Sequence, residues 1–86
     1  MRLDKYLKVS RIIKRRTVAN EACSAGRVTI NDKVAKPSTE VKEGDIITIR
    51  LGAKLFSAEI VSVKEFAKKE EADSMYRVIK NEDFDE

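Results

Sequence analysis

Apolar residues recur along this chain with two different periods, and the change falls at Gly26. Leu3, Tyr6 and Leu7 stand at i, i+3 and i+4, so a short helix is expected over Arg2 to Lys8. Val9 to Arg15 reads as a connection, with Ile12 and Ile13 as its anchors to the core. A second helix is expected over about Arg16 to Ala25, with Val18, Ala19, Ala22, Cys23 and Ala25 as one apolar arc. Its small side chains would let another element approach closely. Gly26 is placed to end it in the left-handed conformation.

Beyond Gly26 the period becomes two. Val28-Thr29-Ile30 and Lys33-Val34-Ala35 read as strands joined at Asn31-Asp32, a pair that tolerates positive φ. Pro37-Ser38 breaks the ladder, and Glu43-Gly44-Asp45 is a turn. Ile46 to Leu51 and Leu55 to Val63 are two further strands, joined at Gly52-Ala53-Lys54. Ala72, Met75, Tyr76 and Ile79 return to helical spacing and predict a helix over 68–80, followed by a frayed acidic end from Asn81 to Glu86. The expected fold is α+β: a helical hairpin packed on a small, mostly antiparallel sheet, with a short C-terminal helix.

At 86 residues the chain is one domain at most, with a core too thin for a deep active-site pocket. No apolar run approaches the ~20 residues of a membrane span, and no signal peptide is visible. The single cysteine, Cys23, has no intramolecular partner, which fits a reducing cytoplasm.

Charge changes the picture once it is mapped. Residues 1–36 carry ten Lys/Arg against three Asp/Glu, a net of +7, whereas residues 67–86 carry four against seven, a net of −3. A basic head and an acidic tail point to a polyanionic partner, nucleic acid or an anionic membrane surface. Other chemistry is thin. The chain has no histidine, so it lacks the commonest general base, and one cysteine supports no zinc motif. No phosphate-cradling glycine motif occurs, and nothing supports an enzyme, a metal or a cofactor. Cys23 is either a reactive thiol or a small buried hydrophobe; its place on the apolar arc favours the second. Tyr6 could stack on a base, but it shares a face with Leu3 and Leu7, which favours core packing.

The candidate polyanion-binding residues are therefore Arg2, Lys5, Lys8, Arg11, Lys14, Arg15, Arg16 and Arg27. If the helices pack by their apolar faces, these charges collect on the outer surface, where they can neutralise phosphates. Asp4 sits at the edge of that basic face.

The order of residues adds a resemblance. Arg2-Leu3-Asp4-Lys5-Tyr6-Leu7, Arg16, Ala25-Gly26-Arg27-Val28-Thr29-Ile30-Asn31, Lys36-Pro37-Ser38 and Gly44-Asp45 together resemble the S4 RNA-binding domain, over about residues 1–50. With an added strand and a tail, the chain resembles the ribosome-associated heat shock protein 15 family. The Lys68 to Tyr76 stretch brings it nearest the short Gram-positive RqcP branch. Residues 1–66 would then be the S4 domain with its added strand, and 67–86 a helical acidic tail. A monomer is expected, and the resemblance implies a non-enzymatic protein that binds large ribosomal subunits carrying stalled peptidyl-tRNA. It would touch the helix-69 stem-loop of large-subunit rRNA and the tRNA, beside the alanine-tailing factor RqcH. It also implies Arg2 and Arg16 as first RNA contacts, and Asp4 as the group that orients a neighbouring Arg or Lys.

Two departures stand out. Asn31-Asp32 replaces the usual Asn-Gly turn and puts a negative charge near the basic face. Arg15 stands where a small polar cap of the second helix is common, so either the cap is forgone or Arg15 is kept for phosphate contact. Four rival readings remain: an S4 protein of ribosome assembly or a general RNA chaperone, a small DNA-binding regulator built on two short helices, an enzyme, which the lack of any catalytic constellation disfavours, and a protein–protein adaptor.

Overall fold

In a computed structural model, which describes residues 1–83, the helical hairpin is formed by α1 (Leu3–Val9) and α2 (Arg16–Ser24). No side chain caps α1. Its first amides are satisfied from a distance: Leu3 N–H donates to the Thr39 carbonyl at 2.8 Å and Asp4 N–H to that of Pro37 at 3.1 Å. The 37–39 segment thus caps the helix from a distant part of the chain. Arg15 opens α2 with no cap bond, so that cap is forgone. Gly26, at φ +76°, closes α2. Gly26 N–H bonds Cys23 O and Arg27 N–H bonds Ala22 O, the paired bonds of a Schellman motif.

Ala19, Ala22 and Cys23 are the buried stripe of α2, packed with Leu3, Tyr6 and Leu7 of α1. Val18 and Ala25 correct the expected arc: both are exposed, Val18 at 42%, because a contact made by three small side chains is narrow and its flanks face water.

The hairpin covers one face of a five-stranded sheet ordered β2-β1-β3-β4-β5, with every pairing antiparallel. Its strands are β1 (Val28–Ile30), β2 (Lys33–Val34), β3 (Ile46–Leu51), β4 (Lys54–Ile60) and β5 (Tyr76–Asp83). Val28, Ile30, Ile47, Ile49 and Ile60 supply the core face. Asn31 and Asp32, at φ +51° and +69°, make a two-residue turn with both residues left-handed, the type I′ geometry that fits hairpin twist. The Asn31 side chain adds a second tie: its oxygen accepts from Ile46 N–H, and its amide donates to Asp45.

The C-terminal segment departs from expectation. A short helix α3 (Lys69–Ala72) and one 3₁₀ turn (Asp73–Met75) are present, but the helix expected over 68–80 stops there and β5 begins. β4 would otherwise present an unpaired edge, and β5 covers it. A register shift at Ser57/Ala58 leaves Ile79 unpaired between Val78 and Lys80. That extra residue breaks the period of two, so the apolar positions imitate a helix. The expected frayed end splits: Asn81–Asp83 belong to β5, and 84–86 lie outside the described residues. Met75 is fully buried in the same cluster as Tyr6, and its carbonyl accepts the Tyr6 hydroxyl at 2.8 Å. Tyr6 is thus a core residue. Burial, with the Asp4 charge second, pushes the Cys23 thiol up to about 11, so it stays protonated and poorly nucleophilic at neutral pH.

Candidate nucleic-acid interface

Asp4 is the centre of the site. It lies in the first turn of α1, yet only 2% of it is exposed, because α2 packs across it. Arg2 donates to one carboxylate oxygen at 3.2 Å, Asn20 to the same oxygen at 3.3 Å, and Arg16 to the other at 3.3 Å. Burial pushes the Asp4 carboxyl up; the Asn20 and Arg16 hydrogen bonds and the charges of Arg16 and Arg2 outweigh it and hold the carboxyl below its ordinary value of 3.8. One buried anion therefore joins two guanidiniums from different elements. Both keep about half their side-chain surface in solvent, 51% for Arg2 and 47% for Arg16. Their unused N–H donors form a fixed pair suited to phosphate oxygens.

Beside this pair runs an open groove between the end of α2 and the 34–38 segment, lined by Arg2, Asn20, Ser24, Lys36 and Ser38. The other candidates divide. Lys5 is half-buried and donates to Glu65, which spends part of its charge within the protein. Lys8, Arg11 and Lys14 gather around a small cleft with Phe66. Arg11 is held at φ +63° by the tight α1–α2 connection. Arg15 is exposed at the start of α2. Arg27 stands apart: it lines a depression with Thr29, Thr48 and Arg50, on the sheet face opposite the core. The eight cations thus form several groups rather than one stripe.

Asn20, Lys36, Arg50 and Phe66 were not candidates on sequence alone. Asn20 could have been found from its place four residues after Arg16, on the same helix face. Phe66 carried no periodic signal. Among the described residues, no group of three or more His, Cys, Asp or Glu side chains is placed to hold a metal ion, and no helix is long and apolar enough to cross a membrane.

Comparison with known proteins gives the family and the fold. The S4 domain family matches residues 1–47. The RQC P-site tRNA stabilizing factor of Halalkalibacterium halodurans is 60% identical over 82 residues, covering 95% of this chain and 93% of that protein. The Listeria monocytogenes protein of the same name is 57% identical over 86 residues, covering 100% and 94%. The trimeric structure of Vibrio cholerae heat shock protein 15 superposes with a TM-score of 0.84 at 34% identity, covering 92% of this chain and 81% of that one. The Asp4-centred arginine pair therefore sits inside the matched domain, and the chain belongs to the S4-domain RNA-binding family, among the RQC P-site tRNA stabilizing factors and close to heat shock protein 15.

Proposed function

We propose that this chain is a non-catalytic RNA-binding factor of ribosome-associated quality control in the bacterial cytoplasm. It binds the large ribosomal subunit that carries a stalled peptidyl-tRNA, touches the helix-69 stem-loop and the tRNA, and supports alanine tailing beside RqcH. The observation that carries the reading is the Arg2–Asp4–Arg16 arrangement, two half-exposed guanidiniums oriented by one buried carboxylate. The names of its relatives supply the setting, ribosome-associated quality control and P-site tRNA.

The mechanism is positional. A-form RNA has a deep, narrow major groove, so a protein face reads it through phosphates, 2′-hydroxyls and shape. Arg2 and Arg16 grip the backbone, Lys5, Lys8, Arg11, Lys14 and Arg15 extend the field, and Arg27 reaches RNA passing the sheet. Held this way on the subunit, the protein keeps the tRNA in place while the tail grows.

Co-sedimentation tests it. Arg2→Ala and Arg16→Ala should each reduce binding to large subunits bearing peptidyl-tRNA while leaving the circular dichroism spectrum unchanged. Unaltered co-sedimentation of both variants would refute the assignment of these residues. Equal binding to empty subunits would favour the assembly-factor reading, and preference for duplex DNA over structured RNA the regulator reading.

A further inference from the structure

The cleft at the α1–α2 connection has a composition that phosphate contact alone does not explain. Phe66 is 84% exposed, the most exposed large hydrophobic side chain among the described residues. A lone exposed ring is common on protein surfaces; what singles this one out is its setting among cations. It lines one cleft of about 110 Å³ with Lys8, Val9, Arg11, Lys14 and Ala67. Three of those six residues are cations and none is an acid. The neighbouring acid, Glu65, is turned to Lys5, whose hydrogen bond and charge hold the Glu65 carboxyl below its usual range. Ala67, the next residue, packs against the core, so the segment is pinned on both sides of the ring.

We propose that Phe66 is a stacking platform for one unpaired ribonucleotide of the bound RNA, with Lys8, Arg11 and Lys14 holding the flanking phosphates. The inference deepens the RNA-binding reading and rests on it. An aromatic face takes any base without hydrogen-bond readout, and surrounding cations follow the backbone; this pairing marks sites for unstacked nucleotides. Charge argues for RNA over a protein helix, because an apolar partner would have to desolvate three cations beside a single ring. The site lies away from the Arg2–Asp4–Arg16 pair, so it would catch a loop or bulge of an RNA whose stem that pair grips.

The chain has no tryptophan, so Phe66→Trp installs a single indole reporter at the site, excited selectively over Tyr6 and Tyr76 at the red edge of its absorption. The probes are a labelled stem-loop oligoribonucleotide and a fully paired duplex of the same stem. Titration with the stem-loop should quench the indole in step with the anisotropy of the labelled RNA, and the duplex should not quench it. Phe66→Leu, which keeps an apolar side chain but no ring face, should weaken stem-loop binding roughly 5-fold or more and leave duplex binding unchanged. The position is exposed, so neither change disturbs the core. Stem-loop binding without quenching, quenching by the duplex as strong as by the stem-loop, or full affinity in Phe66→Leu would each overturn the stacking proposal and leave the Arg2 and Arg16 reading standing. Failure to bind either RNA would overturn both.

Discussion

Arg2 and Arg16 differ from Lys8, Arg11 and Lys14 in what stands behind them. The first two are tied to a buried carboxylate and hold one geometry. The other three have no ion pair among the described residues and point freely around a cleft. A carboxylate under two arginines subtracts charge from a basic face, so by charge alone it weakens binding to a polyanion. It also removes the cost of fixing two long side chains when the ligand arrives. The lesson is that one basic surface combines oriented donors, which can select a shape, with loose ones, which supply attraction.

The sharpest way to break this comparison is Asp4→Ala. It adds one unit of positive charge to the face. Charge counting predicts tighter RNA binding; loss of orientation predicts weaker binding. We expect affinity for a structured RNA to fall by about 10-fold, the size of one charge-assisted hydrogen bond, read by fluorescence anisotropy at fixed salt. An increase would show that the carboxylate does not organise the arginines for binding.

The same variant should lose about 1–3 kcal/mol of folding stability in urea titrations, because Arg2, Arg16 and Asn20 lose their shared acceptor. Both arginines remain half-exposed and can be rehydrated, which keeps the loss below that of a fully buried pair. Acid gives a milder version. The Asp4 carboxyl is depressed in the folded state, so its stabilisation is complete above its ordinary value of 3.8 and is lost as pH falls below that point through the folded value. Urea midpoints measured from pH 6 down to pH 3 should fall more steeply for the native protein than for Asp4→Ala.

On the loose side, Lys8→Ala or Lys14→Ala should cost little affinity and reduce the slope of log K against log salt by about 0.7–0.9 for each phosphate no longer neutralised. The smallest expected effect is at Arg11. Its φ of +63° is strained for a side chain with a Cβ, so Arg11→Gly should raise stability by about 0.5–1 kcal/mol. A thermal melt that does not shift upward would show that the connection is held by something other than backbone geometry.

The helical hairpin and first strands were legible in the sequence because each buries a stripe with a clean period: Leu3, Tyr6 and Leu7, then Val28 with Ile30 and Ile47 with Ile49. β5 was not, because the extra residue Ile79 sets Tyr76, Val78 and Ile79 at a spacing that no period of two describes. Arg2, Arg16 and Asp4 were singled out through motif order, by the resemblance. The depth of Asp4 was not legible, since its burial depends on how α2 crosses α1 rather than on any local pattern. Phe66 was invisible for a similar reason. A lone aromatic between Glu65 and Ala67 in a charged stretch reads as surface until the chain folds back and sets it beside Lys8 and Lys14.

The Tyr6 hydroxyl reaches the Met75 carbonyl across 69 residues of chain, and that carbonyl also accepts the amides of Val61 and Ser62. The bond ties the stability of the N-terminal hairpin to a segment far along the chain. A nascent chain that stops short of Met75 has α1 but no acceptor for its buried phenol, an omission worth about 1–3 kcal/mol, and it lacks the strand that covers the β4 edge. In a domain this small, that is a large share of the margin against unfolding. A copy cut before Met75 would therefore be less stable and more open to proteolysis than one that includes it.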